Sequence, residues 1–380
     1  MQPPKYWRYE SHYQGRRRGG HNTSNGGIFV LDFSELDDSR FLGEVNGLIP
    51  GKRYSATVHA VGTDIVPQYP NGVGANICVF GTWDHSTEFN NGVNSFEGDL
   101  TVDFRAKDTK VTIGLRLGYW GCEAKGKVIF SNFKIQESDK FITFGEGIIR
   151  FEITIDDLQE IDPFEDKIEL FLNRMSNVYK TMGQLYGKYP FNGETIYYET
   201  RENIGAYAIA GNPIFWNNQC CIDYFVNHVY TDACFGTIHE MGHDFDQTAL
   251  GELNHEMMAN FALCYAVERL NLPIHFDNEL TVGRGLQDGF YRRSYERSIM
   301  IGKYHHDGLL YCILRIKDNI GWSAFEEVMR RLIKNPPPKF NHPSQILNCW
   351  MSMLSELVHF DVRTFFPQNE YQFLMQQEHY

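Results

Sequence analysis

Residues 237–247 read TIHEMGHDFDQ, with His239 and His243 four positions apart and Glu240 beside the first. On an α-helix, residues four apart share a face, so the two imidazoles can converge on a single ion. This is the H-E-x-x-H arrangement. In it the histidines are neutral nitrogen ligands of zinc, and the glutamate stays off the metal to take a proton from the attacking water. A plainer reading fits the same letters. Thr237-Ile238-His239-Glu240 is also a capping box in which Glu240 reaches back to an N-cap amide. A third ligand decides between the two.

The histidine version of that third site, H-E-x-x-H-x-x-G-x-x-H, fails because Asp246 stands at the glycine place and Ala249 at the histidine place. Residues 248–270, TALGELNHEMMANFALCYAVERL, break near Gly251 and then read as a second helix carrying Glu252, His255 and Glu256. Glu256 is the preferred ligand. Asn260 lies one turn later on its face, where it can accept the N–H of a ligand histidine and fix its tautomer. Glu252 sits at the helix start and is explained by the dipole there, while His255, about 100° round the helix, points elsewhere. The expected set is His239, His243 and Glu256 around one Zn2+, with the fourth position open as in catalytic sites. A closed structural site would draw on cysteine, and the eight cysteines are scattered with no CxxC pair.

Outward from this motif the second half is mostly helical. Residues 163–187 carry apolar residues at helical spacing behind a proline, and further helices are expected over 232–247, 253–270, 306–319, 323–334 and 343–357. Strands are expected at RFEITIDD (150–157), GETIYYETR (193–201) and GAYAIAGNPIFW (205–216). The first half has a different period. Short alternating runs such as YSATVHAVG (54–62), GDLTVDFRA (98–106) and GKVIFSNFKIQ (126–136), bounded by turns such as IPGKR, read as the strands of an antiparallel sandwich. The expected fold is multidomain: an antiparallel β-sandwich over 1–140, then an α+β, mostly helical domain over 141–380, which the resemblances given below imply to be jelly-roll-like and zincin-type respectively.

Of the 380 residues 42% are hydrophobic and 22% charged, the composition of a folded chain rather than a disordered one. A formal net charge of −13, with Arg16-Arg17-Arg18 as the clear basic cluster, argues against a nucleic-acid partner. No run of about 18 apolar residues that would span a membrane is present, and MQPPKYWRYESHYQG at the N-terminus lacks the apolar core of a signal peptide.

Two resemblances emerge. GLIPGKRYSATVHA (47–60) and GKVIFSNFKIQE (126–137) resemble carbohydrate-binding modules of jelly-roll type. This implies a glycan ligand, with Trp83, Tyr119 or Trp120 as rings for sugar stacking, each of which also fits as a packing residue; a structural Ca2+ in the sandwich is a further option that no residue pattern assigns. The second half resembles the enhancin-like, mucin-degrading metallopeptidases of gluzincin type. The resemblance rests on H-E-x-x-H, on Glu256 and Asn260 in an E-x-x-x-N setting, on the strand-and-helix entry over 150–187, and on HHDGLLYCILRIKDNIGWSAFEEVMRRLI and MLSELVHFDVRTFF near the end. It implies a zinc metallopeptidase of secreted or cell-surface origin that hydrolyses peptide bonds in glycoproteins, O-glycosylated mucin-type glycopeptides in particular. It also implies that AYAIAGNPIFW runs beside the zinc and pairs with an extended substrate. Gly211, Asn212 and Pro213 stand there in place of the common Gly-Tyr-Pro. A further donor for the tetrahedral oxyanion is expected among Tyr304, His305, His306, Tyr291 and Arg292. The competing reading is a glycan-binding adhesin with an inactive peptidase scaffold, against which the intact Glu240 argues.

Overall fold

The computed structural model describes residues 4–11, 20–25, 27–70, 72–80, 92–119, 121–202, 204–246, 255–302, 305–335 and 343–376. It divides into two compact units, Met1–Phe141 and Ile142–Tyr380. The first is built from β1 (Trp7–Ser11), β2 (Gly20–Asn25), β3 (Ile28–Asp37), β4 (Ser39–Asn46), β5 (Arg53–Pro67), β6 (Ala75–Phe80), β7 (Asn94–Arg105), β8 (Lys110–Leu117) and β9 (Ala124–Glu137). These make two antiparallel sheets, ordered β1-β4-β8-β6 and β2-β3-β9-β5-β7. Strand β5 shows the period-2 logic: Tyr54, Ala56, Val58 and Ala60 are buried, while Thr57, His59 and Val61 between them are partly exposed. Inward residues of both sheets, such as Leu31, Val58 and Phe130 of one and Phe41, Ile77 and Ile113 of the other, form a single core, which makes the unit a sandwich.

The outward face of the five-stranded sheet is polar. Thr57 faces Thr101 at 2.9 Å, His59 Nδ1 lies 3.0 Å from Asp99, and Lys127 lies 3.6 Å from Asp32. Tyr119 is half-buried with the Arg116 guanidinium 4.5 Å from its ring centroid, so one ring face is occupied by a cation. Trp83 and Trp120 lie outside the described residues. The calcium option in the sandwich finds no support: among the described residues, the clusters of three His, Cys, Asp or Glu side chains that could hold a metal ion are in the second unit.

The second unit's sheet, ordered β10-β11-β12-β14-β13, comprises β10 (Phe141–Phe144), β11 (Ile149–Thr154), β12 (Ile196–Arg201), β13 (Ala208–Ile209) and β14 (Ile214–Asn217). Strands β11, β12 and β14 are parallel, and β13 runs antiparallel to β14 at the sheet's end. The single strand expected over 205–216 is therefore two, turned through Gly211, Asn212 and Pro213. Gly211 takes a φ of 136°, a conformation that favours glycine. Asn212 holds the turn, accepting the Tyr197 N–H at 3.1 Å and donating to the Thr195 carbonyl at 2.8 Å. A hairpin, β15 (Pro273–Phe276) with β16 (Glu279–Val282), stands apart from this sheet.

The helices are α1 (Ile155–Ile161), α2 (Glu165–Tyr186), α3 (Asn218–Asp223), α4 (Phe235–Asp246), α5 (His255–Leu270), α6 (Arg292–Ile301), α7 (His306–Ile320), α8 (Trp322–Lys334), α9 (Pro343–Val358) and α10 (Gln368–Gln376). In α2 the buried residues Ile168, Phe171, Met175, Val178, Met182 and Leu185 recur at intervals of three and four, and Gly187 ends the helix in the left-handed conformation. RFEITIDD divides into β11 and α1, because the Thr154 hydroxyl accepts the Asp157 N–H at 3.0 Å and starts a helix. Helix α5 is buried from Met257 through Val267 on every side, as befits a core helix. Its first turn, with His255 and Glu256, emerges exposed. No helix among the described residues is long and apolar enough to cross a membrane.

Candidate metal centre

Helix α4 starts at Phe235, three residues later than expected, because Asp232 is used as a tie. Its Oδ1 accepts the N–H of Cys234 and that of His275 in β15, both at 3.0 Å. Thr237 is therefore inside the helix, fully buried, with its hydroxyl donating to the Cys234 carbonyl at 3.1 Å. This corrects the capping-box reading: the Ala210 backbone, just after β13, is instead the group whose proximity favours the charged form of Glu240.

Helices α4 and α5 meet at Gly242. A Cβ there would fall 2.6 Å from the Ala259 carbonyl oxygen and 2.9 Å from its Cα, so the backbones approach only because the side chain is absent. Gly242→Ala would ordinarily favour a helix by up to about 1 kcal/mol. Here it is expected to lower stability by about 1–3 kcal/mol through overpacking, read as a lower Tm of the metal-free protein. A Tm equal to or above wild type would contradict this packing. The residue escapes a motif search focused on charged groups, although a glycine inside a helix between two histidines is the visible sign of it.

The crossing brings together side chains from the two helices. His239 Nε2 lies 3.1 Å from His243 Nε2 and 3.1 Å from Glu256 Oε2, and His243 Nε2 lies 3.6 Å from Glu256 Oε1. Asn260 is buried, and its Oδ1 is 2.8 Å from His239 Nδ1. With Nδ1 donating its proton there, Nε2 of His239 presents a lone pair to the other two groups. Burial, reinforced by His239, pushes the His243 imidazole below its ordinary pKa and so favours the neutral, ligating form. Glu240 is partly buried and outside this trio. Burial raises its carboxyl to about 7, with the Ala210 backbone opposing and the Glu256 charge adding. His255 is exposed and not one of the converging groups, and Glu252 lies outside the described residues.

A second group follows at the start of α7. His305 Nδ1 lies 3.0 Å and His306 Nε2 3.5 Å from the Asp307 carboxylate. His306 is within electrostatic reach of both His239 and Glu256. Of the other donors expected for an oxyanion, Tyr291 is fully buried, Arg292 pairs with Glu296 at 2.9 Å, and Tyr304 lies outside the described residues. Asn212 is 4% exposed with its amide engaged in the sheet, and Pro213 is buried. Neither offers a side chain to a substrate, and Gly211 alone of that turn is partly exposed.

The three converging groups fit a zinc ion. Tetrahedral ligands about 2.1 Å from a metal lie about 3.4 Å from one another, and the observed separations of 3.1 to 3.6 Å bracket that value. Two imidazole nitrogens and a carboxylate are also the donor set of an open, catalytic site.

Paired helices that converge such a set beside the end strand of a sheet are the build of a metallopeptidase. Residues 150–369 match the model of peptidase M60, enhancin and enhancin-like, and the chain belongs to that family. Among solved structures, a metallopeptidase from Bacteroides thetaiotaomicron is 13% identical with a TM-score of 0.43, over 84% of this chain and 60% of the other. A metallopeptidase in complex with Tn antigen is 12% identical with a TM-score of 0.43, over 82% and 63%. A CBM4 structure is 13% identical with a TM-score of 0.25, over 35% of this chain and 86% of the other. This chain thus spans less than two thirds of the two metallopeptidases' length. Comparison with curated proteins finds no match.

Proposed function

We propose that the chain is a zinc-dependent endopeptidase that hydrolyses peptide bonds in glycoproteins, O-glycosylated mucin-like ones in particular, outside the cell or at its surface. The observation that carries this reading is the meeting of His239, His243 and Glu256 within 3.1–3.6 Å, with Glu240 standing off them. A zinc ion held there supplies Lewis acidity, lowering the pKa of water towards 7 and polarising a carbonyl.

The chain's own residues do the rest. His239 and His243 offer lone pairs, Glu256 a carboxylate, and Asn260 keeps His239 in the tautomer that leaves Nε2 free. Glu240 accepts the proton of the attacking water and passes it to the leaving amine. An extended substrate adds along β13, which ends the sheet, whose Ile209 is exposed and which is followed by the turn through Gly211, Asn212 and Pro213. Since the Ala210 backbone lies within electrostatic reach of the Glu240 carboxylate, a peptide on that strand would lie near the base. His306, within electrostatic reach of His239 and Glu256, is the residue assigned to donate to the oxyanion.

The glycoprotein preference rests on the family resemblance. A sandwich that binds glycan would raise the effective concentration of a tethered glycoprotein target. The test is cleavage of a mucin-type glycopeptide and its unglycosylated twin. The reading expects the glycosylated peptide to be cut with the higher kcat/KM. Equal rates would remove the glycoprotein preference, and a wild type that binds no zinc and cuts neither peptide would leave the glycan-binding scaffold in its place.

A further inference from the structure

Away from its Nε2, which faces His243 and Glu256, the His239 ring is held from two directions, and only one of them is a hydrogen bond. Asn260 Oδ1 fixes the position of His239 Nδ1 but leaves the ring able to tilt about that contact. The tilt is opposed by a ring stack. Phe235, one turn earlier on α4, lies against His239 with 16° between the planes and 5.6 Å between centroids. Phe235 is in turn stacked on Phe276 at 4.0 Å and 22°. Phe276 closes β15 at the tip of the β15–β16 hairpin, before the turn at Asp277 and Asn278, both at positive φ. Its ring is met edge-on by Phe290 at 4.8 Å and 88°.

The hairpin that carries Phe276 is tied to the start of α4. The Ala233 N–H donates to the Pro273 carbonyl at 2.8 Å, and Asp232 Oδ1 bridges the N–H groups of Cys234 and His275. Hairpin, helix start and imidazole therefore form one mechanical chain. A histidine and a phenylalanine four apart on a helix stack readily without outside help, so the informative member is Phe276, which arrives from 41 residues further along the sequence.

We propose that Phe276 is a positioning residue of the metal centre. Acting through Phe235, the hairpin tip sets the tilt of His239 and thereby the affinity and coordination geometry of the ion. The inference rests on the metal-centre reading above. Residues behind metal ligands typically change affinity about 10- to 100-fold when altered, and a ring contact belongs at the lower end.

The experiment measures zinc affinity by chelator competition, and the visible absorption of the cobalt(II)-substituted protein, for wild type, Phe276→Ala, Phe276→Leu, Phe276→Trp and Phe235→Ala. Expected are zinc binding weakened about 10-fold in Phe276→Ala, a shifted cobalt spectrum, and recovery of both in Phe276→Trp, which restores a stackable ring. Phe276→Leu keeps the hairpin packed if the alanine variant misfolds, and it is expected to lose affinity because it cannot stack. Because Phe276 acts through Phe235, adding Phe276→Ala to Phe235→Ala should cost little more than Phe235→Ala alone. Leu280→Ala, at an exposed position on β16, should change nothing. A folded Phe276→Ala or Phe276→Leu protein with wild-type affinity and cobalt spectrum overturns the proposal while leaving the metal centre standing. A wild type that binds neither ion overturns both.

Discussion

Glu240→Ala is expected to lower kcat for peptide cleavage by about 10²- to 10⁴-fold, the range for removing a general base, while the protein holds zinc as wild type does. The two effects separate because Glu240 lies outside the trio of His239, His243 and Glu256. Its carboxylate instead lies near the Ala210 backbone, just after β13. Alanine removes the whole side chain, so Glu240→Gln is the sharper variant. An amide can still lie near Ala210 but cannot take a proton, so a similar loss is expected. Activity within tenfold of wild type in Glu240→Gln would mean that Glu240 is not the base.

Glu256→Gln is expected to weaken zinc binding by more than about 100-fold, beyond what changes behind the ligands typically produce. The amide keeps the size and loses the charge that offsets a divalent cation. Because the Glu256 side chain is 54% exposed, the substitution should leave the fold intact, so a chelator titration reports the ligand rather than unfolding. Zinc affinity within threefold of wild type would remove Glu256 from the ligand set.

Parts of this architecture are legible in the residues alone because they follow from short-range geometry. Helical spacing puts His239 with His243 and Glu256 with Asn260 on shared faces, and alternation over stretches such as 54–62 marks sheet. What is not legible depends on distant partners. The start of α4 is displaced because Asp232 bonds the N–H of His275, 43 residues away. The capping box dissolves for the same reason, since Thr237 is drawn inside the helix. The turn within 205–216 depends on Asn212 reaching across to Thr195 and Tyr197. Helix α6 escapes a periodicity reading because its aliphatic residues run together at its end, as Ile299, Met300 and Ile301, and only Tyr295 and Ser298 are buried. The ring stack from Phe276 to His239 joins segments that no local pattern connects.

The most direct test of the central claim is the zinc content of the purified, dialysed chain, measured by plasma mass spectrometry for wild type, Glu240→Ala and His243→Ala. A zinc peptidase built on His239, His243 and Glu256 predicts one zinc per chain in wild type and Glu240→Ala, and loss of the ion in a folded His243→Ala. Zinc-free wild type, or a His243→Ala protein that holds zinc as firmly as wild type, would contradict it.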